Sequence, residues 1–148
     1  MKARGVVLAC ACLLVACGGG EPMRYADGSE LSFSDWNGRW VLVNYWAEWC
    51  APCRAEIPEL NALFRDNGAD VLVVGVNFDG VTDLALSDLI VRMGIEFPVL
   101  TIDPRERWHY DRPGVLPTTV VIDPQGNVVR TLVGPQSRET LSELLGLP

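Results

Sequence analysis

The most constraining feature of this chain is the run Trp40-Val41-Leu42-Val43-Asn44-Tyr45-Trp46, which leads directly into Ala47-Glu48-Trp49-Cys50-Ala51-Pro52-Cys53. A strand with one wet face alternates polar and apolar residues; this run is almost continuously apolar, β-branched or aromatic, which predicts a strand covered on both faces. Beyond the cysteines, Ala55, Leu60, Leu63 and Phe64 recur at helical spacing over residues 51–64. The sequence therefore predicts a buried strand that hands a pair of cysteines to the start of a helix.

The rest of the chain extends that pattern. Residues 71–76 read as a second buried strand, and residues 84–93 as a helix stopped by Gly94. Residues 97–102 are a short strand candidate. Residues 118–122 and 128–133 read as strands separated by the turn Asp123-Pro124-Gln125-Gly126-Asn127, and Ser137 opens a last helix. Near the front, Asp27-Gly28 predicts a hairpin turn leading into residues 31–33, and Asn37-Gly38 another turn. Strands alternating with helices, then a hairpin and a closing helix, predict an α/β fold with a mixed central sheet flanked by helices. With 49% hydrophobic and 21% charged residues, a packed core is within reach and disorder is not expected.

Residues 1–16 have the parts of a secretory signal: Lys2 and Arg4, then an uncharged apolar stretch too short to span a bilayer. The stretch ends in Leu14-Val15-Ala16-Cys17, followed by three glycines, which resembles the bacterial lipobox. That resemblance implies cleavage before Cys17, a diacylglycerol on its sulfur, a flexible tether over 17–22, and a domain over 23–148. An ordinary cleaved signal or an uncleaved anchor is the alternative. Gly18 in place of an aspartate points to the outer rather than the inner membrane. Lys2 is the only lysine in the chain, so a processed protein would have no lysine for Schiff-base chemistry. The net charge of −7 without basic clusters argues against a nucleic-acid partner.

Of the five cysteines, Cys10, Cys12 and Cys17 precede the domain, leaving Cys50 and Cys53 as its only pair. The pair is redox-active, metal-binding or inert. A zinc site would need further cysteine or histidine ligands at close spacing. A copper site would want a nearby histidine, and the one histidine, His109, lies far along the chain. A redox role fits the context best. Backbone N–H groups and the helix dipole at a helix start favour a thiolate at Cys50, and Cys53 follows within reach to resolve a mixed disulfide. Pro52 lacks an N–H, which costs little in a first turn. No metal or other cofactor is expected.

These residues resemble the active-site motif of the thioredoxin superfamily. Further matches are Pro58, which corresponds to the proline inside the family's active-site helix, the segment Leu116-Pro117-Thr118, and the glycines Gly126 and Gly134. The resemblance spans about residues 25–146. The hairpin over 27–36, Asn44, and the helix over 83–92 are similar to the TlpA-like and cytochrome-maturation group of the bacterial envelope. It implies a cis Leu116–Pro117 bond facing the cysteines, and a docking surface of Trp49, Pro52 and Leu116. Trp46 is expected in the core, and Trp108 and His109 as ordinary residues near a loop. Cytosolic thioredoxins carry a buried aspartate where this chain has Asn44 and a lysine where it has Gly75; the resemblance gives the proton-relay role to Glu56 instead. A solvated Glu56 on the helix surface is the plain alternative. Ala51-Pro52 supplies neither histidine nor cation to Cys50, which favours the reducing direction. Implied partners are disulfide-bearing envelope proteins, with apocytochrome c as one substrate class, and a membrane thiol reductase of the DsbD or CcdA kind as electron donor. The expected state is a monomer. A disulfide oxidase or isomerase, or a lipid-anchored metal-binding protein, are the competing readings.

Overall fold

The computed structural model describes residues 23–147. The sequence signals at Cys10, Cys12 and Cys17, with the signal and tether segments, lie outside the described residues. Five strands form one sheet: β1 (Trp40–Trp46), β2 (Val71–Asn77), β3 (Val99–Leu100), β4 (Thr118–Ile122) and β5 (Val128–Val133). The sheet order is β3-β2-β1-β4-β5. Strands β1, β2 and β3 run parallel, whereas β4 is antiparallel to both β1 and β5. This is the mixed sheet of the thioredoxin fold.

Strand β1 is central, and its period-2 alternation fills two cores. Leu42 and Trp46 face α1 (Ala51–Asn67), α2 (Asp83–Met93) and α4 (Arg138–Leu145), which supply Ile57, Leu60, Leu63, Leu86, Leu89, Leu141 and Leu145. Val41, Val43 and Tyr45 face the opposite layer, where Trp36, Trp108 and Tyr110 pack. The double burial inferred from the apolar run of β1 is therefore present, with one polar exception at Asn44. Helix α1 runs three residues beyond the predicted 51–64 and passes through Pro58. Helix α2 stops at Gly94, whose φ of 66° is the left-handed cap that a glycine takes without a Cβ penalty.

Three elements differ from expectation. The hairpin over 27–36 is reduced to one antiparallel bridge between Arg24 and Glu30, and its neighbour Tyr25 bridges instead to Leu100. Within the span of that hairpin, residues Phe33–Trp36 form a 3₁₀ turn. The turn lets Trp36 reach the core, where its ring stacks on Trp108 at 5.3 Å and Phe33 packs edge-on to both. Only Val99–Leu100 pairs within the strand predicted over 97–102: the Gly75 N–H bonds to the Pro98 carbonyl as part of that parallel ladder, and Pro98 has no N–H with which to extend it toward residue 97. An unforeseen one-turn helix, α3 (Arg105–Trp108), positions Trp108 for that stacking. Trp108 is thus a packing residue; His109 is exposed behind it at φ 52°.

Gly75 shows how tightly the α1-side layer is filled. A Cβ there would lie 2.8 Å from Trp46 Nε1 and 3.1 Å from atoms of Phe97 and Val99. The indole of Trp46 occupies the space a side chain at 75 would need. Gly75→Ala is expected to destabilise the domain by about 2 kcal/mol through overpacking, read from the urea midpoint at unchanged m-value.

Candidate active site

The site forms where β1 ends. Cys50 has extended backbone and serves as the N-cap of α1, with Pro52 in the first turn. Its Sγ accepts from the Cys53 N–H at 3.2 Å. Cys50 and Cys53 are joined as a disulfide, their Cα atoms 5.3 Å apart. Both are nearly covered, at 4% and 1% exposure, while Ala51 and Pro52 between them are exposed. In the dithiol form, the first-turn N–H groups and the helix dipole stand ready to hold negative charge on Cys50. The neighbouring cations are engaged elsewhere: Arg54 donates to the Glu48 carbonyl, and Arg92 pairs with the Glu48 carboxylate at 2.9 Å.

Glu56 is one helical turn past Cys53 and faces inward, at 1% exposure. The solvated reading of this residue is therefore wrong. Its Oε2 accepts from Asn44 Nδ2 at 3.0 Å and its Oε1 from the Gln136 N–H at 3.0 Å. Asn44 Nδ2 also donates to Thr119 Oγ1 at 2.9 Å, so both amide hydrogens are used. Burial disfavours the charged carboxylate and pushes its pKa up to about 7, against the pull of the two donors. The result is a buried carboxyl that titrates near neutrality, one turn from a redox cysteine.

Leu116–Pro117, immediately before β4, is a cis peptide. Pro117 is buried and its carbonyl accepts from the Gly134 N–H at 2.9 Å. Leu116 packs against the core cluster that contains both cysteines. Trp49, by contrast, is 65% exposed, and Pro52, between the cysteines, is exposed as well. Its indole is not loose: Nε1 donates to Asp79 Oδ2 at 3.0 Å and to Oδ1 at 3.3 Å.

Three contributors were invisible to sequence reasoning. Gln136 acts through its backbone N–H, which any residue but proline supplies, so nothing in its identity signals the role. Thr119 is paired with Asn44 by the β1–β4 register, which only the folded sheet reveals. Asp79 follows β2 and meets Trp49 only because β1 and β2 end together in parallel register. Among the described residues, no group of three or more cysteine, histidine or acidic side chains is arranged to hold a metal.

A mixed sheet that delivers a Cys-Ala-Pro-Cys disulfide to a helix start defines a thiol–disulfide oxidoreductase of the thioredoxin fold. Residues 22–131 match the AhpC/TSA family, and the chain belongs to it. It is 30% identical over 122 residues to the thiol-disulfide oxidoreductase ResA of Bacillus anthracis, covering 80% of this chain and 69% of that protein. Among solved structures, a thioredoxin-family thiol:disulfide interchange protein from Chlorobium tepidum TLS superimposes with a TM-score of 0.68 at 27% identity, covering 84% of this chain and 92% of that one. The pneumococcal exposed lipoprotein thioredoxin Etrx1 of Streptococcus pneumoniae strain TIGR4 gives 0.65 at 26% identity, over 85% and 97% of the two chains.

Proposed function

We propose that this oxidoreductase works as a reductant of disulfides in envelope proteins, held at a membrane through a lipid on Cys17. The observation that carries the direction is the bareness of Cys50. It has helix-start N–H groups and the Cys53 N–H, but Ala51-Pro52 adds no charge, and Arg54 and Arg92 are spent on Glu48. Strong oxidants of this fold depend on a heavily stabilised reduced state, with potentials near about −120 mV against about −270 mV for thioredoxin.

In this reading the Cys50 thiolate attacks one sulfur of the substrate disulfide, forming a mixed disulfide and releasing the other sulfur as a thiolate. Cys53 then loses its proton and displaces the substrate sulfur from Cys50. Two electrons pass to the substrate, and the Cys50–Cys53 disulfide remains. Glu56, in its ionised form, takes the Cys53 proton; its place one turn along α1 and its pKa near neutrality support that role. Trp49, Pro52, Leu116 and the cis Pro117 form the surface on which the substrate chain docks. A membrane thiol reductase of the DsbD or CcdA kind would restore the dithiol.

The test is a disulfide-bonded Cys-x-x-Cys-His peptide offered to the dithiol enzyme. The expected result is a reduced peptide and an oxidised enzyme; net transfer of a disulfide into the reduced peptide would reverse the assignment. For the anchor, Cys17→Ala is expected to abolish palmitate incorporation and shift the protein to the soluble fraction. Retention in the membrane by that variant would remove the lipid from the account.

A further inference from the structure

The β2–α2 loop and the segment over 100–112 border an open cavity of about 310 Å³ that the exchange mechanism does not use. Its border with the active site is Asp79, whose carboxylate accepts from the Trp49 indole next to Cys50. Four charged side chains line it: Asp79, Asp103, Arg105 and Arg112. Two of them satisfy each other. Asp103 pairs with Arg105 at 3.2 Å and takes the Tyr45 hydroxyl at 2.7 Å.

The other two are left over. Among the described residues, Asp79 has no cationic partner and Arg112 has no carboxylate partner, and they do not pair with each other. The Arg112 guanidinium is fixed in place, lying 4.1 Å from the centroid of the Phe78 ring and donating to the Phe78 carbonyl. Asn77, 7% exposed, also lines the cavity. Its Oδ1 accepts from the Val81 N–H, but its Nδ2 is buried with no partner among the described residues. That nitrogen is closed off from the cavity, so Asp79 and Arg112 are the groups a ligand can reach.

A separated carboxylate and guanidinium lining one cavity match a zwitterion. We propose that this cavity is a subsite for the α-amino-acid end of a small disulfide such as cystine. Its ammonium meets Asp79, and its carboxylate meets Arg112. The inference rests on the reductase reading above, since the bound disulfide is the oxidant. The dithiol enzyme and cystine yield the Cys50–Cys53 disulfide and two cysteines, and dithiothreitol returns the electrons between turnovers. An internal stretch of polypeptide lacks a free α-amino-acid group and would not fill the subsite.

The test compares three disulfides with the full-length enzyme under dithiothreitol: cystine, cystamine, which lacks the carboxylates, and 3,3′-dithiodipropionate, which lacks the ammonium groups. Each rate is divided by its uncatalysed rate with dithiothreitol, which removes differences in intrinsic reactivity. Cystine is expected to exceed both analogues by about tenfold in normalised kcat/KM, the effect of one charge-assisted contact, with the difference lying in KM. Arg112→Gln is expected to bring the cystine-to-cystamine ratio close to one, and Arg112→Lys to restore part of it. Equal normalised rates on all three, or a ratio untouched by Arg112→Gln, would overturn the subsite while leaving the oxidoreductase intact. No exchange with any disulfide would instead sink the reductase reading itself.

Discussion

Cys50→Ser is expected to abolish disulfide reduction, lowering kcat/KM by at least about a thousandfold, because a hydroxyl at this position cannot replace a thiolate as attacking group. Cys53→Ser should behave differently. It keeps the attacking sulfur at the helix start, so the first step proceeds, but nothing resolves the mixed disulfide. The enzyme is then expected to accumulate as a covalent adduct with its substrate, visible as a mass shift that dithiothreitol reverses. The asymmetry follows from the backbone: Cys50 is the cap and Cys53 lies inside the first turn, less exposed and closer to Glu56 in the helix. Adduct formation by Cys50→Ser with none by Cys53→Ser would exchange the two roles.

Glu56 carries the second large effect, and it has a sign. Its pKa is raised by burial to about 7 from an ordinary value of 4.5, so between those values the folded protein binds a proton that the unfolded chain does not. Stability from this group is full below about pH 4.5 and is lost as pH rises through about 7, by roughly 3 kcal/mol in all. Chemical denaturation at pH 5 and pH 8 should show most of that loss in the wild type. Glu56→Gln removes the titration, so its stability is expected to change much less across the window. Gln also offers one acceptor where Glu offers two, leaving either the Asn44 amide or the Gln136 N–H without a partner, at a cost of about 1–3 kcal/mol at every pH. In catalysis, the wild-type rate should rise through about pH 7 as Glu56 becomes able to accept a proton, and this limb should vanish in Glu56→Gln. A rate profile with the same limb in the variant would remove Glu56 from the proton path.

Much of this architecture was legible because a few local patterns are strongly determined. An uninterrupted apolar strand such as Trp40–Trp46 has few homes other than the middle of a doubly covered sheet, and Cys-x-Pro-Cys at the end of such a strand has a matching place at a helix start. The Asp123–Asn127 turn was readable for a local reason as well: the Asp123 carboxylate accepts from the Gln125 and Asn127 N–H groups, a pattern written in adjacent residues. What failed was decided at a distance. Residues 33–36 form a 3₁₀ turn because Trp36 finds Trp108 far along the chain, and no periodicity near residue 33 reports that. The site divides in the same way. Both cysteines, Pro117 and Glu56 were named by motif, but the buried setting of Glu56 rests on two tertiary partners, Asn44 and Gln136, with Thr119 holding the second amide hydrogen of Asn44. Asp79, which holds the Trp49 indole, was missed because an acid in a loop after a strand looks like any solvated turn residue until the parallel register of β1 and β2 is known.

The measurement that bears most directly on the central claim is the reduction potential of the Cys50–Cys53 couple, obtained by equilibrating the protein in graded dithiothreitol or glutathione buffers and counting free thiols by alkylation. A reversible two-electron couple below about −220 mV is predicted, on the thioredoxin side of the scale for this fold. A value near about −120 mV would contradict the account and make the protein a donor of disulfides.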